Sequence, residues 1–434
     1  MSLLVFACSK DQNNFAGEIN AELTQNIINA SPTGAIDYYE LPVYNNLVRV
    51  PQDRLNPLSQ EKVQLGQMLF FETGLGITPS LDNGMNSYSC ATCHLPQSGF
   101  TPDNVQGIGE GGLGVGINRI KDPVYENEQL DIQSIRPLSL INVGFVENTF
   151  WNGQFGSGKV NIGTDHIWPL REDTEFNALG FESIETQNMI GLISHRLSMS
   201  GEMADAFGYT ELFDNAFPDV IKEERYSPRT TSLAISAFLR TIITTHAPFQ
   251  KWLKGDDSAL TDDQKAGGAI FFGKAKCYKC HYEKNLGSHE FHALGVKDMD
   301  QNEACVFAKA DDRRNLGRGG FTLEDSDLYK FRVPGLYNTG DYSFYFHGSS
   351  KTSLEAVIEY KLSAIAENPR LPEGVISEKL HPVALTQKEK EQLIEFIEIG
   401  LRDPGMERYI PDYIGSGNCF PNNDETSVIE LGCN

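Results

Sequence analysis

The chain contains two similar stretches in which apolar and polar residues recur with the period of an amphipathic helix. The first is predicted to begin after Ser59, a suitable helix cap, and its apolar positions run to Phe70. The second is predicted to begin after Thr261, which has capping-box spacing to Gln264, and to end just before Cys277. Each ends in Phe-Phe with a glycine close behind. The two stretches therefore form an internal repeat, which predicts two similar domains.

Apolar residues also lie on one helical face between residues 231 and 245, and again after Thr386, which has box spacing to Glu389. The apolar stripe of the last helix, of a kind typical of core packing, consists of Leu393, Ile394, Ile397 and Leu401. Strand signals are sparse, and 40 glycines with 20 prolines indicate many loops. We therefore expect a mainly α-helical fold with long irregular loops.

Each repeated helix leads to the sequence C-x-x-C-H, the attachment sequence of a c-type haem. The two copies are Cys90-Ala91-Thr92-Cys93-His94 and Cys277-Tyr278-Lys279-Cys280-His281. Two thiols on one turn can add to the two vinyl groups of a porphyrin, and the adjacent histidine can bind the iron from the proximal side. The alternative is two zinc or disulfide C-x-x-C pairs that precede histidine by chance, but one chance copy is expected on the order of 3 times in 1,000 such chains. The sequence therefore predicts two covalently bound haem c groups.

The formal net charge of −23 in 434 residues narrows the range of partners. Such a charge disfavours nucleic acid. It favours a basic electron-transfer protein, or one with a basic patch, brought in by long-range attraction. The alternative is that the acidic surface only keeps the protein soluble. The length allows two or three domains, and no apolar run approaches the roughly 18 residues that a membrane helix needs.

The first 55 residues are expected to lie outside the haem domains. Leu3–Ala7 is apolar and precedes Cys8, as in the tail of a bacterial lipoprotein signal, so 1–8 is predicted to be a signal remnant with Cys8 as the lipidated residue. The alternative is a plain secretory signal remnant with an incidental cysteine. Residues 9–55 are polar and turn-rich, which predicts a tether with some helix around 21–28. Both alternatives predict an exported protein, periplasmic or attached to the outer membrane, in keeping with covalent haem.

Three cysteines remain outside the haem motifs. Cys419 and Cys433 bracket a tail rich in Pro and Asn and could close a small loop, which leaves Cys305 without an obvious partner. Three cysteines allow three pairings, and the sequence does not choose among them.

Between about residues 56 and 402 the sequence resembles the bacterial di-haem cytochrome c peroxidase family, including its MauG-like relatives. Besides the two haem motifs, the resemblance rests on Asn56-Pro57-Leu58-Ser59, Leu69-Phe70-Phe71, Gly99-Phe100-Thr101, Phe150-Trp151-Asn152-Gly153, Phe331-Arg332-Val333-Pro334 and Tyr345-Phe346-His347-Gly348. It implies two cytochrome-c-like haem domains, a peroxidatic one at 56–248 and an electron-transfer one at 249–410, followed by a tail at 411–434.

The resemblance also implies roles for individual residues. His94 and His281 are the proximal iron ligands. Trp151 matches a tryptophan that family members place between the haems, where an indole is a good electron conduit; the alternative is an aromatic ring packed on a haem edge. His347 matches a histidine near the second haem, where contact with a propionate is expected rather than iron ligation.

The main departure from the family pattern is Glu110. Many relatives carry a histidine there that blocks the N-terminal iron until the other haem is reduced. A carboxylate is a poor ligand for ferrous haem, so we expect an iron that is open to peroxide without activation. The alternative is that Glu110 is a solvated loop residue.

The distal acid or base is harder to assign. Peroxide cleavage needs a base to move a proton between the two oxygens and a cation to ease charge separation. The spacing from Pro169-Leu170 points to Glu175. A second alignment, which takes Gln187 as the family's helix glutamine, puts Leu197 at the acid position. The candidates that flank Leu197 are His195, Arg196 and Glu202.

The methionine that the family places on the second iron is absent. Lys361 stands at that spacing with Tyr360 beside it, and some relatives use tyrosine there. Either ligand would lower the potential relative to methionine. The family's calcium site maps onto Arg136 and Tyr342, which match poorly, so calcium is only a further option.

Three functions remain open. The first is a peroxidase that reduces hydrogen peroxide to water with electrons from a small exported donor such as a c-type cytochrome. The second is a MauG-like oxidase of a protein or organic substrate, and the third is an electron-transfer protein without catalysis. The resemblance also allows a homodimer, with membrane contact only through a lipid on Cys8.

Overall fold

The computed structural model describes residues 6–433, with side chains from Gly17 onwards. Within that range the fold is mainly helical, as the sequence predicts, and the only sheets are two short antiparallel pairs of strands. Most of the predicted signal remnant, at residues 1–5, lies outside the described residues, and so does the side chain of Cys8.

The helices are α1 (Phe6–Ala30), α2 (Gln60–Phe71), α3 (Ser183–Ser194), α4 (Gly201–Ala206), α5 (Thr210–Ala216), α6 (Lys222–Arg225), α7 (Pro228–Arg240), α8 (Pro248–Leu253), α9 (Asp262–Phe272), α10 (Gly319–Thr322), α11 (Leu354–Ser363), α12 (Gln387–Glu395) and α13 (Glu425–Leu431). The strands are β1 (Gly112–Leu113), β2 (Ile120–Lys121), β3 (Phe291–His292) and β4 (Phe331–Arg332), paired as β1–β2 and β3–β4. Short 3₁₀ turns and irregular segments make the connections, so the loops are as long as expected.

Capping hydrogen bonds confirm three of the predicted helix starts. The hydroxyl of Ser59 accepts from the backbone N–H of Lys62 at 3.2 Å and opens α2. Thr261 caps α9 in a full capping box, and Thr386 does the same for α12.

The helix predicted at 231–245 is α7, and its bounds differ from the prediction. It begins after the cap Ser227 and ends at Arg240. It ends there because Asn142 takes over the hydrogen bonds of the following residues. The Asn142 N–H donates to the Ile242 carbonyl at 2.8 Å, and the Asn142 side-chain oxygen accepts from the Thr244 N–H at 3.2 Å.

Both repeated helices carry a glycine four residues before their Phe-Phe pair, and each glycine lets another helix cross in close contact. A Cβ on Gly66 of α2 would lie 1.8 Å from the carbonyl oxygen of Ala234 in α7. A Cβ on Gly267 of α9 would lie 1.9 Å from the carbonyl oxygen of Gln392 in α12. The repeat therefore extends from the sequence to the packing, with α2–α7 at the centre of one half and α9–α12 at the centre of the other.

Most of the described part of the segment 9–55, predicted as a tether, instead packs against the C-terminal half, whereas Asp53 near its end bonds to Glu182 in the N-terminal half. Helix α1 is longer than expected, and Leu23 and Ile27 are completely buried. Asn26 donates its side-chain N–H to the Ala269 carbonyl in α9 at 3.0 Å. The apolar positions of α1 supply the packing that a free tether would lack. No helix in the described range has both the length and the apolar character needed to cross a bilayer.

The C-terminal tail packs in the opposite direction, onto the N-terminal half. Cys419 and Cys433 form a disulfide, which resolves the open pairing, and Cys305 is a free thiol. The tail carbonyl of Pro421 accepts hydrogen bonds from Ser89 and Thr92, at 2.9 and 3.2 Å, within and beside the first haem motif. Each end of the chain thus completes the half that lies farther away in sequence.

Replacing both Cys419 and Cys433 by serine should lower the free energy of unfolding by about 3 kcal/mol, because the reduced tail gains chain entropy when the protein unfolds. The measurement is the thermal midpoint of the holoprotein, with and without a reductant. Cys305→Ser should change the free energy of unfolding by less than about 0.5 kcal/mol. A wild-type midpoint that does not respond to reduction of the disulfide would contradict a stabilising role for the tail.

Candidate active site

Each C-x-x-C-H motif lies on a 3₁₀ turn in the wall of its own cavity. The first motif lines a cavity of about 700 Å³, here called the N-cavity. The second lines one of about 470 Å³, here called the C-cavity. The four motif cysteines form no disulfide, so their thiols are available for attachment to haem.

The haem histidines of the two cavities are held in the same way. His94 Nδ1 donates to the Phe100 carbonyl at 2.9 Å, and His281 Nδ1 donates to the Leu286 carbonyl at 2.7 Å. With the proton fixed on Nδ1, Nε2 is the nitrogen left to bind iron. Burial lowers the pKa of both histidines to about 4, which keeps them neutral as ligation requires. The residues present therefore fit a haem c in each cavity.

A thin wall separates the two cavities. The residues that line both are Pro137, Leu138, Ser139, Val146 and Arg332. Trp151 lies on the C-cavity side of this wall, where its indole N–H donates to the Arg136 carbonyl at 2.7 Å. Its ring meets those of Phe331 and His347 edge to face, with centroids 6.4 and 6.1 Å apart. The structure thus brings Trp151 to the boundary between the two predicted haem sites.

Arg332 is a buried cation with no carboxylate partner among the described residues. Its side chain donates only to the carbonyls of Phe150 and Val333, at 3.2 and 3.4 Å. Burial lowers its pKa to about 10, so it stays charged at neutral pH. A guanidinium that lines both cavities and lacks a counter-ion suits a haem propionate, and the sequence analysis did not assign it a role.

His347 lines the C-cavity and is held rigidly. Its Nε2 bonds to Asp298 Oδ1 at 2.9 Å, and its ring stacks on Phe331 with 3.7 Å between centroids. Asp298 is fully buried and also accepts from Asn368 and Arg370. The ring of His347 is therefore fixed beside Trp151.

The two ligand candidates on α11 are placed differently. Lys361 lines the C-cavity, and burial lowers the pKa of its amine to about 8. The hydroxyl of Tyr360 donates to the Leu294 carbonyl at 2.5 Å, and Tyr360 does not line the cavity. Burial raises the pKa of Tyr360, so its hydroxyl stays protonated. Of the two side chains, only Lys361 faces the second haem site.

Glu110 is neither solvated nor directed at either cavity. It is fully buried, and its carboxylate accepts from the backbone N–H of Ser80 at 2.6 Å and of Leu81 at 3.2 Å. It also accepts from the Tyr125 hydroxyl at 3.1 Å and from Arg196 Nε at 2.5 Å. Glu110 and Arg196 therefore form a structural ion pair, which leaves Arg196 turned away from the N-cavity.

The four other candidates for the distal site are divided by position. Glu175 and Glu202 are exposed and line neither cavity. His195 lines the N-cavity, where its Nδ1 contacts Asp131 Oδ1 at 2.8 Å. Burial alone would lower the pKa of His195, but the Asp131 carboxylate raises it above its usual value. Leu197, from the second alignment, lines the N-cavity as well.

The structure adds a carboxylate that the sequence analysis missed. Asp173 lines the N-cavity, and its Oδ2 accepts from Gln154 Nε2 at 3.1 Å and pairs with Arg313. Its Oδ1 is buried and has no hydrogen-bond partner among the described residues. Asp173 lies two residues before Glu175, but Arg313 comes from a loop of the C-terminal half, and no local signal connects the two.

The expected calcium site does not fit the residues present. The guanidinium of Arg136 is buried and donates to the Asn104 and Pro102 carbonyls, at 2.8 and 2.7 Å, and to Thr101 Oγ1 at 3.1 Å. These are oxygens of the kind that would bind Ca²⁺, and a fixed positive charge already occupies them. Calcium therefore has no place beside Arg136.

Two haem-attachment sites of the same construction, in two halves of a helical chain, define a di-haem protein of the c type. Residues 60–258 match the model of the di-haem cytochrome c peroxidase family. This match, together with the two attachment sites, supports two haem c groups and an oxidoreductase.

The relatives include proteins named MauG and proteins named cytochrome c peroxidase. The methylamine utilization protein MauG of Methylorubrum extorquens is 28% identical over 357 residues, which cover 82% of each chain. The cytochrome c551 peroxidase of Pseudomonas aeruginosa is 28% identical over 310 residues, 71% of this chain and 74% of that one. The crystal structure of a MauG-like protein associated with microbial copper homeostasis has a TM-score of 0.61 and 24% identity, covers 86% of this chain and 98% of its own, and supports the fold alone.

Replacing Trp151 by alanine should slow turnover with a reduced cytochrome by about tenfold, which corresponds to about 1.4 kcal/mol in the barrier. The physical reason is the loss of the only indole that lines either cavity in the described range. Steady-state turnover and the optical spectra of both haems are the measurements.

Trp168→Ala serves as the matched control, because Trp168 lines neither cavity. If Trp151→Ala turns over within twofold of wild type while both haem spectra are retained, Trp151 is a packing residue and not a conduit.

Proposed function

We propose that the protein is an exported di-haem peroxidase that reduces hydrogen peroxide to water. A small electron donor such as a c-type cytochrome supplies the electrons, and the C-terminal haem passes them to the N-terminal haem. The observation that carries the proposal is the difference in acids between two otherwise repeated cavities. Among the described residues, Asp131, Asp173, Asp311 and Asp312 line the N-cavity, whereas the only carboxylate that lines the C-cavity is that of the exposed Glu378.

When bound, the N-terminal haem supplies an iron that can take up peroxide and pass electrons to it. The protein then has to move a proton from one peroxide oxygen to the other while the O–O bond breaks. In the proposal, the Asp173 carboxylate accepts this proton and returns it, so its own protonation is unchanged. Gln154 and Arg313 position Asp173 by binding its Oδ2. Overall, hydrogen peroxide, two electrons and two protons give two molecules of water.

The remaining parts of the proposal concern the electron route. Trp151, at the wall between the cavities, couples the two haems. Lys361 is the candidate side-chain ligand of the C-terminal iron, and Arg332 binds a propionate. An iron ligand other than methionine gives the C-terminal haem a lower reduction potential than methionine would. Arg136 supplies a fixed positive charge at the position where calcium was considered. The proposed cofactors are therefore two haem c groups without calcium.

The proposal also covers the localisation and the oligomeric state of the protein. We propose export to the periplasm or outer membrane, with a lipid on Cys8 as the only membrane contact. The relatives named as cytochrome c peroxidases support peroxide and a small cytochrome as partners. A homodimer remains a prediction.

A second candidate is a MauG-like oxidase that withdraws electrons from a protein or organic substrate through the C-terminal haem. It is supported by the match to MauG, which covers 82% of each chain against 71% and 74% for the cytochrome c551 peroxidase. It is also supported by the absence of methionine among the described residues that line the C-cavity. In that case peroxide would still react at the N-terminal haem, but the reductant would be the substrate and not a cytochrome.

The oxidised protein should react with one equivalent of hydrogen peroxide without prior reduction, because Glu110 is held by Arg196 and cannot block the iron. The expected result is a partly high-spin ferric haem whose optical and EPR signals change within the mixing time. Added reduced cytochrome should then be consumed at two molecules per peroxide. A wholly low-spin protein that is inert until one electron is added would contradict this prediction. A reaction with peroxide that oxidises no cytochrome would favour the oxidase.

Asp173→Asn should slow the reaction with peroxide by about 100-fold or more, which is the usual contribution of a positioned proton-transfer group. Binding of cyanide gives an independent readout, because HCN must also lose a proton to a nearby base before it binds ferric haem. Its association rate should fall as well. Glu175→Gln is the matched control and should stay within about threefold of wild type, because its side chain is exposed. If Glu175→Gln slowed the reaction with peroxide and Asp173→Asn did not, the proton-transfer role would belong to Glu175.

A further inference from the structure

The C-cavity opens to solvent through a rim that is rich in lysine. The exposed residues among those that line it are Lys276, Lys279, Glu378, Lys379 and His381. These five residues are the basic rim. The exposed charged residues that line the N-cavity are Lys309 and Asp311, one of each sign. An excess of positive charge is therefore found at only one of the two openings.

Two lysines of the basic rim have no counter-ion. Lys276 and Lys279 form no ion pair within the described part of the chain. Lys379 pairs with Glu290 at 2.5 Å and also donates to the Lys279 carbonyl at 3.0 Å, which fixes its amine beside Lys279. Glu378 offsets one of these charges, and the rim remains positive.

The basic rim lies beside the second haem-attachment site. Lys276 and Lys279 are the sequence neighbours of Cys277 and Cys280, and all four residues line the C-cavity. With haem bound, thioether bonds to these cysteines would bring one edge of the porphyrin close to the two lysines. A partner that contacts the rim would therefore lie close to that edge.

The local charge is opposite to that of the whole chain, which is −23. At physiological ionic strength the Debye length is about 8 Å, so a docked partner responds to the charges it touches more than to distant ones. The sequence analysis inferred a basic partner from the net charge alone. The basic rim carries a positive charge, opposite in sign to the net charge of the chain.

We propose that the basic rim docks the acidic face of a small electron-transfer protein. Each docking event oxidises the partner by one electron and reduces the C-terminal haem by one, and two events serve each peroxide. The direction of electron flow rests on the proposed function, whereas the charge preference of the rim does not. The attraction between unlike charges guides the orientation of the partner and contributes to its rate of association.

The test compares two forms of one donor. A basic mitochondrial-type cytochrome c and the same cytochrome after succinylation of its lysines carry the same haem and opposite surface charge. Calorimetric titration of the holoenzyme with each oxidised form, at 20 and 200 mM salt, measures binding without peroxide. Stopped-flow mixing with each reduced form measures reduction of the C-terminal haem.

The succinylated form should bind more tightly and reduce the haem faster, and both advantages should shrink as salt is added. In the double variant Lys276→Glu and Lys279→Glu the preference between the two forms should shift by about tenfold or more toward the basic cytochrome. The matched control is Lys222→Glu with Lys254→Glu. These two exposed lysines line neither cavity and change the net charge by the same amount. The control should keep the wild-type preference within about twofold.

A wild-type preference for the basic cytochrome would overturn the inference. So would a rim variant that behaves like the control, because the preference would then not depend on the lysines of the rim. If the preference depends on the rim but peroxide is not reduced, the proposed function fails and the docking surface stands. If peroxide is reduced and the rim variant has no effect, the docking surface fails and the function stands.

Discussion

The hydrogen bond from Nδ1 of each haem histidine to a backbone carbonyl is the interaction on which the two sites depend. It fixes which nitrogen of His94 and His281 carries the proton and leaves the other free for iron. The short turn that holds the two cysteines places the histidine for iron binding only while this hydrogen bond keeps the imidazole ring in its orientation. The helices behind each turn, with their close glycine crossings at Gly66 and Gly267, give the turn a rigid support.

The wall between the cavities turns two repeated sites into one system. A repeat by itself would give two similar haem pockets with no reason to communicate. Here the segment that begins at Pro137 lines both cavities, and Arg332 lies on the same boundary. Trp151 is held there through a main-chain carbonyl, so its position depends on the backbone and not on a mobile side chain. The two cavities also differ in charge, with four aspartates in the lining of one and lysines at the opening of the other.

The sequence predicted what depends on short-range pattern. Helical class, the capped starts of α2, α9 and α12 and the two haem motifs follow from neighbouring residues, and the structure confirms the helical class and the three capped starts. The distal residues could not be obtained in that way. Asp173 meets Arg313 across 140 residues of sequence, and Glu110 meets Arg196 across 86. Contacts between residues so far apart leave no periodic pattern in the sequence. The docking of α1 was missed for the same reason, because a polar, turn-rich composition hides two well-placed apolar residues.

The exchange of chain ends between the halves sets an order of assembly. Thr92, inside the first haem motif, and Pro421, in the tail that covers it, are 329 residues apart. A motif that is covered by so distant a segment stays uncovered until almost the whole chain has folded. We expect haem attachment to be easiest before the tail and its disulfide close, because the closed tail packs against Ser89 and Thr92 at the first motif.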